Sequence, residues 1–174
     1  MDGKSTLSIG SIVGLCAIVL VLWFCFNAVG NNSKLRTGIN YLQTGKNSLD
    51  YHQLARQDAI DDGVNPDLFE KQINQESGFN PNAVSSAGAI GIAQFMPSTA
   101  QWLGINPYDA VQSLSGAASL MARYYTKYQN YDKALAAYNA GTDELNAAVA
   151  NCGSNWRACV PAETDRYIRA IVGY

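Results

Sequence analysis

The sequence predicts a mainly α-helical domain with a small β or irregular glycine-rich element, preceded by one transmembrane helix. Three observations support this. Residues 7–29, LSIGSIVGLCAIVLVLWFCFNAV, contain no charged side chain. From about residue 50 the chain breaks into short segments bounded by helix start and stop residues. Between two of them, SSAGAIGIAQFM sets Ile90 and Ile92 among small residues, a pattern for a small hairpin or an irregular loop.

Residues 1–6 are a short tail. At about 1.5 Å per residue the apolar run that follows reaches roughly 34 Å, enough to cross a hydrocarbon core of about 30 Å. A cleaved signal peptide would have a shorter apolar run, and Phe26-Asn27-Ala28 is a poor cleavage site, so a retained anchor is expected. Lys4 and the α-amine precede the run while Lys34, Arg36 and Lys46 follow it, so charge alone gives no orientation. Residues 30–50 are polar, lack a long apolar run and read as a linker. Residues 51–174 have the length of one compact domain with its own core.

Within that domain, Asn65-Pro66 supplies an N-cap and a proline at the first helical position, and Gly78 supplies a stop, so PDLFEKQINQES is a helix of about three turns. Further helices are expected over 97–103, ended by Gly104, about 109–128, 132–140, ended by Gly141, 143–150 and 163–171. No internal repeat is evident.

Without Asp2 and Lys4 the remaining chain holds 11 basic and 13 acidic residues, and no basic patch argues for a nucleic-acid partner. Cys16 and Cys25 fall in the apolar run, whereas Cys152 and Cys159 flank CGSNWRAC. With His52 the one histidine, far from them in sequence, no metal site is expected. A local Cys152–Cys159 disulfide is expected if the domain is exported, two free thiols otherwise.

Glu76 stands in the last turn of the helix from Pro66, where the unpaired carbonyls already carry partial negative charge. It follows Ile73 by three positions and Phe69 by seven, so it shares their apolar face rather than the side with Glu70 and Lys71. Burial there and the negative helix end both disfavour ionisation and raise its pKa. A carboxyl that keeps its proton near neutral pH suits a general acid. The plainer alternative is a glutamate that frays into solvent at a helix end.

Three further stretches follow ESGFNPNAVS in order: GAIGIAQFMPSTA (88–100), AAYNAG (136–141) and PAETDRYI (161–168). Together the four resemble the transglycosylase domain of soluble-type lytic transglycosylases, whose fold is like that of goose-type lysozymes. The likeness covers roughly residues 54–171.

The resemblance implies that Glu76, with Ser77 beside it, is the single catalytic acid/base. It would protonate the glycosidic oxygen between N-acetylmuramic acid and N-acetylglucosamine, then take the proton of the muramoyl C6 hydroxyl, leaving a 1,6-anhydro ring. It implies substrate-cleft roles for Gln94 and Met96, with Gly88 and Gly91 letting the backbone turn or approach a ligand closely. It also implies that Tyr138 is an active-site tyrosine near the acid, supported by Asn139 and Gly141. Glu163, Thr164 and Tyr167 would line the cleft and brace the tyrosine motif. The segment 152–160 departs from the commoner spacing. No cofactor is implied, and the expected partner is the peptidoglycan glycan strand.

Two rivals stand beside this expectation: a lysozyme-like muramidase in which water replaces the C6 hydroxyl, and a non-catalytic glycan clamp with an assembly role. An enzyme on a membrane anchor would act with its catalytic domain on the cell-wall side. About 20 flexible residues span roughly 25 Å root-mean-square, so cleavage would fall close to the membrane. That suits wall opening for a secretion or conjugation complex, wall remodelling, or phage entry from a virion membrane.

Overall fold

The structure is a computed structural model that describes residues 50–174. The expected transmembrane helix (7–29) and linker (30–50) lie outside the described residues, apart from Asp50. Among the described residues no helix is long and apolar enough to cross a membrane.

Seven α-helices and one 3-10 helix make up this compact unit: α1 (Tyr51–Asp61), α2 (Pro66–Ser77), α3 (Pro97–Leu103), α4 (Ala110–Tyr128), α5 (Tyr131–Ala140), α6 (Thr142–Cys152), the 3-10 helix Gly153–Cys159 and α7 (Ala162–Val172). Their ends follow the sequence chemistry. The Asn65 side chain accepts from the backbone N–H groups of Asp67 and Leu68, Pro66 opens α2, and Gly78 closes it at φ 62° in the left-handed region. Asp50, Asp109 and Asn130 cap α1, α4 and α5 in the same way. Two elements had no distinct signal in the sequence reading, α1 and the 3-10 helix.

Three packed groups of helices form the core. α1 lies against α2 and α4, α5 against α4, α6 and α7, and α7 returns to α2. Phe69 and Ile73 of α2, Leu114 and Met121 of α4, Leu135 of α5 and Ile168 and Ile171 of α7 are fully buried between them. Completely burying a side chain of this kind stabilises by roughly 1.5–3 kcal/mol. The return of α7 to α2 brings the fourth sequence motif beside the first.

The glycine-rich segment between α2 and α3 is irregular rather than a regular hairpin. It has two isolated antiparallel bridges, Val84 with Ile90 and Ile90 with Phe95, the latter closed by N–H to carbonyl bonds of 2.9 and 3.0 Å in both directions. Ile92, Ala93 and Phe95 anchor it in the core. Gly91 cannot be replaced without moving this loop: at φ 79°, a Cβ would stand 2.0 Å from the Pro107 carbonyl oxygen.

Candidate active site

The last turn of α2, the glycine-rich loop, α4, α5 and α7 enclose a cleft of about 820 Å³. Glu76 lies in it, half-buried. The apolar face predicted for it is real, with Phe69 and Ile73 fully buried on the same stripe. Burial pushes the Glu76 carboxyl up to about 7, against a smaller opposing effect from the Tyr167 hydroxyl, which donates to Oε1 at 2.5 Å. No cation offsets that burial, so the carboxyl keeps its proton near neutral pH.

Two buried tyrosines stand by the acid. Tyr167 of α7 is pushed well above the usual phenol range by burial and by the neighbouring Glu76. Tyr138 of α5 is pushed up by the same two causes, and its hydroxyl donates to the Ala93 carbonyl at 2.8 Å. Tyr138 therefore holds the glycine-rich loop against α5. The direct hydrogen bond to the acid comes from Tyr167, for which the sequence reading expected a lining and bracing role.

The remaining predicted residues fall into two groups. Gln94, Met96, Asn139 and Glu163 line the cleft with Glu76, Tyr138 and Tyr167. Met96 and Glu163 are exposed on its surface. Ser77, Gly88 and Gly91 instead shape the walls. The Ser77 hydroxyl donates to the Ile92 carbonyl at 2.7 Å and accepts from the Asn80 N–H at 3.1 Å, fastening the end of α2 to the loop. Gly88 and Gly91 provide turns at φ 88° and 79°.

Gln94 lines the cleft and also serves the loop. Its own backbone is left-handed (φ 50°) and its Nε2 donates to the Gly91 carbonyl at 2.8 Å, with Ala83 at 3.4 Å. The loop engages this donor, because a turn this tight leaves carbonyls that need a partner. Asn139 is similarly engaged: its Oδ1 accepts from the buried Thr164 hydroxyl at 2.8 Å, which ties α5 to α7.

Sequence reasoning missed Gln75, Tyr124, Arg166 and the serines at 85 and 86, all of which line the cleft. Ser85 and Arg166 sit inside the quoted motifs and Gln75 and Ser86 beside one, but a linear motif does not say which way a side chain faces, and Tyr124 belongs to no motif. Among the described residues no cluster of three or more His, Cys, Asp or Glu side chains is arranged to hold a metal ion.

Cys152, the last residue of α6, and Cys159, the last of the 3-10 helix, form a disulfide with Cα atoms 6.3 Å apart. Arg157, between them, pairs with Asp165 of α7 at 2.8 Å and Asp132 of α5 at 3.4 Å.

A helical domain with a buried carboxyl raised to about 7 in an open cleft, braced by tyrosines, has the build of a lysozyme-like glycan-cleaving protein. The comparisons specify the family. Residues 53–157 match the model of the transglycosylase SLT domain, and the chain belongs to that family. It is 38% identical over 84 residues to a transglycosylase of Enterobacteria phage PRD1, covering 48% of this chain and 32% of that one. It is 33% identical over 107 residues to membrane-bound lytic murein transglycosylase D of Escherichia coli K12, covering 53% and 24% of the two chains. With the peptidoglycan transglycosylase gp16 of Escherichia phage T7 it shares 33% identity over 133 residues, 71% of this chain and 10% of the phage protein. The matches therefore span a third or less of these relatives. In fold it is similar to an inactive mutant of lytic transglycosylase Slt from Pseudomonas aeruginosa, with a TM-score of 0.59 at 23% identity, covering 71% of this chain and 23% of that one.

Proposed function

We propose that this chain is a peptidoglycan lytic transglycosylase that cleaves the β-1,4 bond between N-acetylmuramic acid and N-acetylglucosamine, with Glu76 as its acid and base. One observation carries the reading: a cleft carboxyl whose pKa lies at about 7, hydrogen-bonded by Tyr167 through one oxygen. The family supplies the substrate class, since the relatives named above are transglycosylases and two of those names specify murein or peptidoglycan.

In this mechanism Tyr167 occupies Oε1 and the proton is delivered from Oε2 to the glycosidic oxygen as the bond to C1 breaks. The product carboxylate, steadied by the Tyr167 O–H, then accepts the proton of the muramoyl C6 hydroxyl while that oxygen attacks C1. No water is consumed and the new end is 1,6-anhydromuramic acid. A site near pH 7 serves both halves, because the group must be acid first and base second. A second carboxylate is not required when the substrate supplies its own nucleophile; Glu163, exposed on α7, is read as a substrate contact.

Mass spectrometry of muropeptides released from purified peptidoglycan by the full chain tests this. Anhydro ends are expected from the wild type, with release by Glu76→Gln lower by about 10²–10⁴-fold. Reducing muramic ends would instead identify a muramidase, and retained biological function in the Glu76→Gln variant would identify a glycan clamp.

The same proposal places the chain in a membrane through residues 7–29, with cleavage on the wall side close to the bilayer. An uncharged run of spanning length supports this. Phage transglycosylases among the relatives favour wall opening during genome delivery over secretion, conjugation or general remodelling. Release of the full chain from membranes by alkaline carbonate would sink the anchor.

A further inference from the structure

Gln72 sits one helical turn before Glu76 on α2, is fully buried, and has no hydrogen-bond partner for either Nε2 or Oε1. Each unsatisfied buried polar group costs about 1–3 kcal/mol, and a leucine or methionine would fill the same space without that cost. Phe69 and Ile73, its neighbours on the helix, are themselves fully buried. A protein that keeps an amide here keeps it against its own stability.

Glu76, one turn further along the same face of α2, meets the Tyr167 hydroxyl of α7, which packs on α2; burial and Glu76 push that hydroxyl away from ionising, and the nearby Gln72 amide draws it the other way. That hydroxyl has one proton, and it is given to Glu76. Its oxygen can then only accept, and the Gln72 N–H is a donor able to meet it. Turned about, the amide would offer Oε1 and draw the proton away from Glu76.

We propose that Gln72 is a positioning residue that fixes the direction of the Tyr167 hydroxyl and thereby holds that proton on Glu76 Oε1, leaving Oε2 to face the substrate. The inference rests on the reading of Glu76 as acid and base. Donation from the amide to the Tyr167 oxygen strengthens when Glu76 becomes a carboxylate and pulls the hydroxyl proton harder. Chains of hydrogen bonds reinforce one another in this way at low dielectric.

The other titratable or charged groups of the cleft are Tyr138 of α5, Tyr124 of α4, and Glu163 and Arg166 of α7. On α1, which also packs on α2, His52 and Arg56 are paired with Glu70, a residue outside the cleft lining.

The test is Gln72→Met in the full chain, alone and with Tyr167→Phe. Three quantities are read: thermal midpoint, kcat against pH, and titration of a 13C-labelled Glu76 carboxyl. The expected result is an unchanged or higher thermal midpoint, with kcat lower by roughly tenfold. The Glu76 titration should move up by about 0.5–1 pH unit, because a Tyr167 hydroxyl without support stabilises the carboxylate less. In the Tyr167→Phe background, Gln72→Met should cause no further movement. An unmoved titration, or an equal shift without the Tyr167 hydroxyl, would overturn the proposal. So would a fall in thermal midpoint matching the loss of activity with the titration unmoved. Because the titration is read without turnover, a wild type that releases no anhydro products would reject the proposed reaction while leaving this relay measurable.

Discussion

Two regions of the molecule, the one beside the disulfide and the cleft, treat carboxyls in opposite ways. At the disulfide end, Asp165 sits between Arg169 and Arg157, at 2.7 and 2.8 Å, and these cations hold its carboxyl below the usual range, Arg169 foremost. At the cleft, Glu76 faces buried tyrosines and is pushed up to about 7. Both carboxyls belong to helices and both are hydrogen-bonded. The difference is that Asp165 is paired with two cations that outweigh its burial, whereas the burial of Glu76 is opposed only by a neutral hydroxyl. What the protein supplies at the cleft is burial of Glu76 with no ion pair to it among the described residues.

The strongest way to break that contrast is to remove the acid and follow stability against pH. The Glu76 pKa is raised above its unfolded value, so its cost to folding is absent below about pH 4.5, grows as pH rises and is complete above about 7. Glu76→Gln should therefore leave stability at pH 4 nearly unchanged and raise it at pH 8 by about 3 kcal/mol, in chemical denaturation at both pH values. Equal effects at the two pH values would mean the carboxyl is not desolvated.

The disulfide end should be mainly structural. Closing a loop this short limits the unfolded chain by about 2 kcal/mol, so Cys152→Ser with Cys159→Ser should lower stability by that amount in denaturant melts. The Glu76 titration is expected to stay near 7 in that variant.

Tyr167→Phe sharpens the active end. Loss of a bond that favours the carboxylate should raise Glu76 further, by about one pH unit, and carry the alkaline limb of the activity profile upward with it. A downward movement would reverse the assigned direction of the hydrogen bond.

The smallest effect is expected of Arg157→Ala. Its partners are about a quarter exposed, and Tyr174 also contacts Asp132 and lies 5.0 Å from the guanidinium. Such partly solvated pairs contribute about 1 kcal/mol or less, readable as a small drop in thermal midpoint with the Glu76 titration unmoved. A moved titration would show that the two ends communicate along α5 and α7.

Much of this was legible because it is local. The start of α2 at Asn65-Pro66 and its stop at Gly78 follow from capping and backbone sterics within a few residues. The position of Glu76 on the stripe of Phe69 and Ile73 follows from helical periodicity, and the direction of its pKa follows from that stripe being buried. α1 lacked a distinct signal because its amphipathic face is weak, with Asp58 buried beside Leu54, Ala55 and Ala59. Nothing in a linear motif reveals that the left-handed turn at Gln94 engages its own side-chain donor.

The sequence by itself determined where α2 starts and stops, the apolar face that carries the acid and the four motifs that place the chain in its family. Only the tertiary structure decided which tyrosine touches the acid, because Tyr167 lies 91 residues from Glu76 and meets it through the packing of α7 on α2. That packing also buries Gln72 without a satisfied partner. Periodicity says which face of a helix turns inward; what stands opposite is fixed by long-range packing, and here the chemistry of the acid depends on that neighbour.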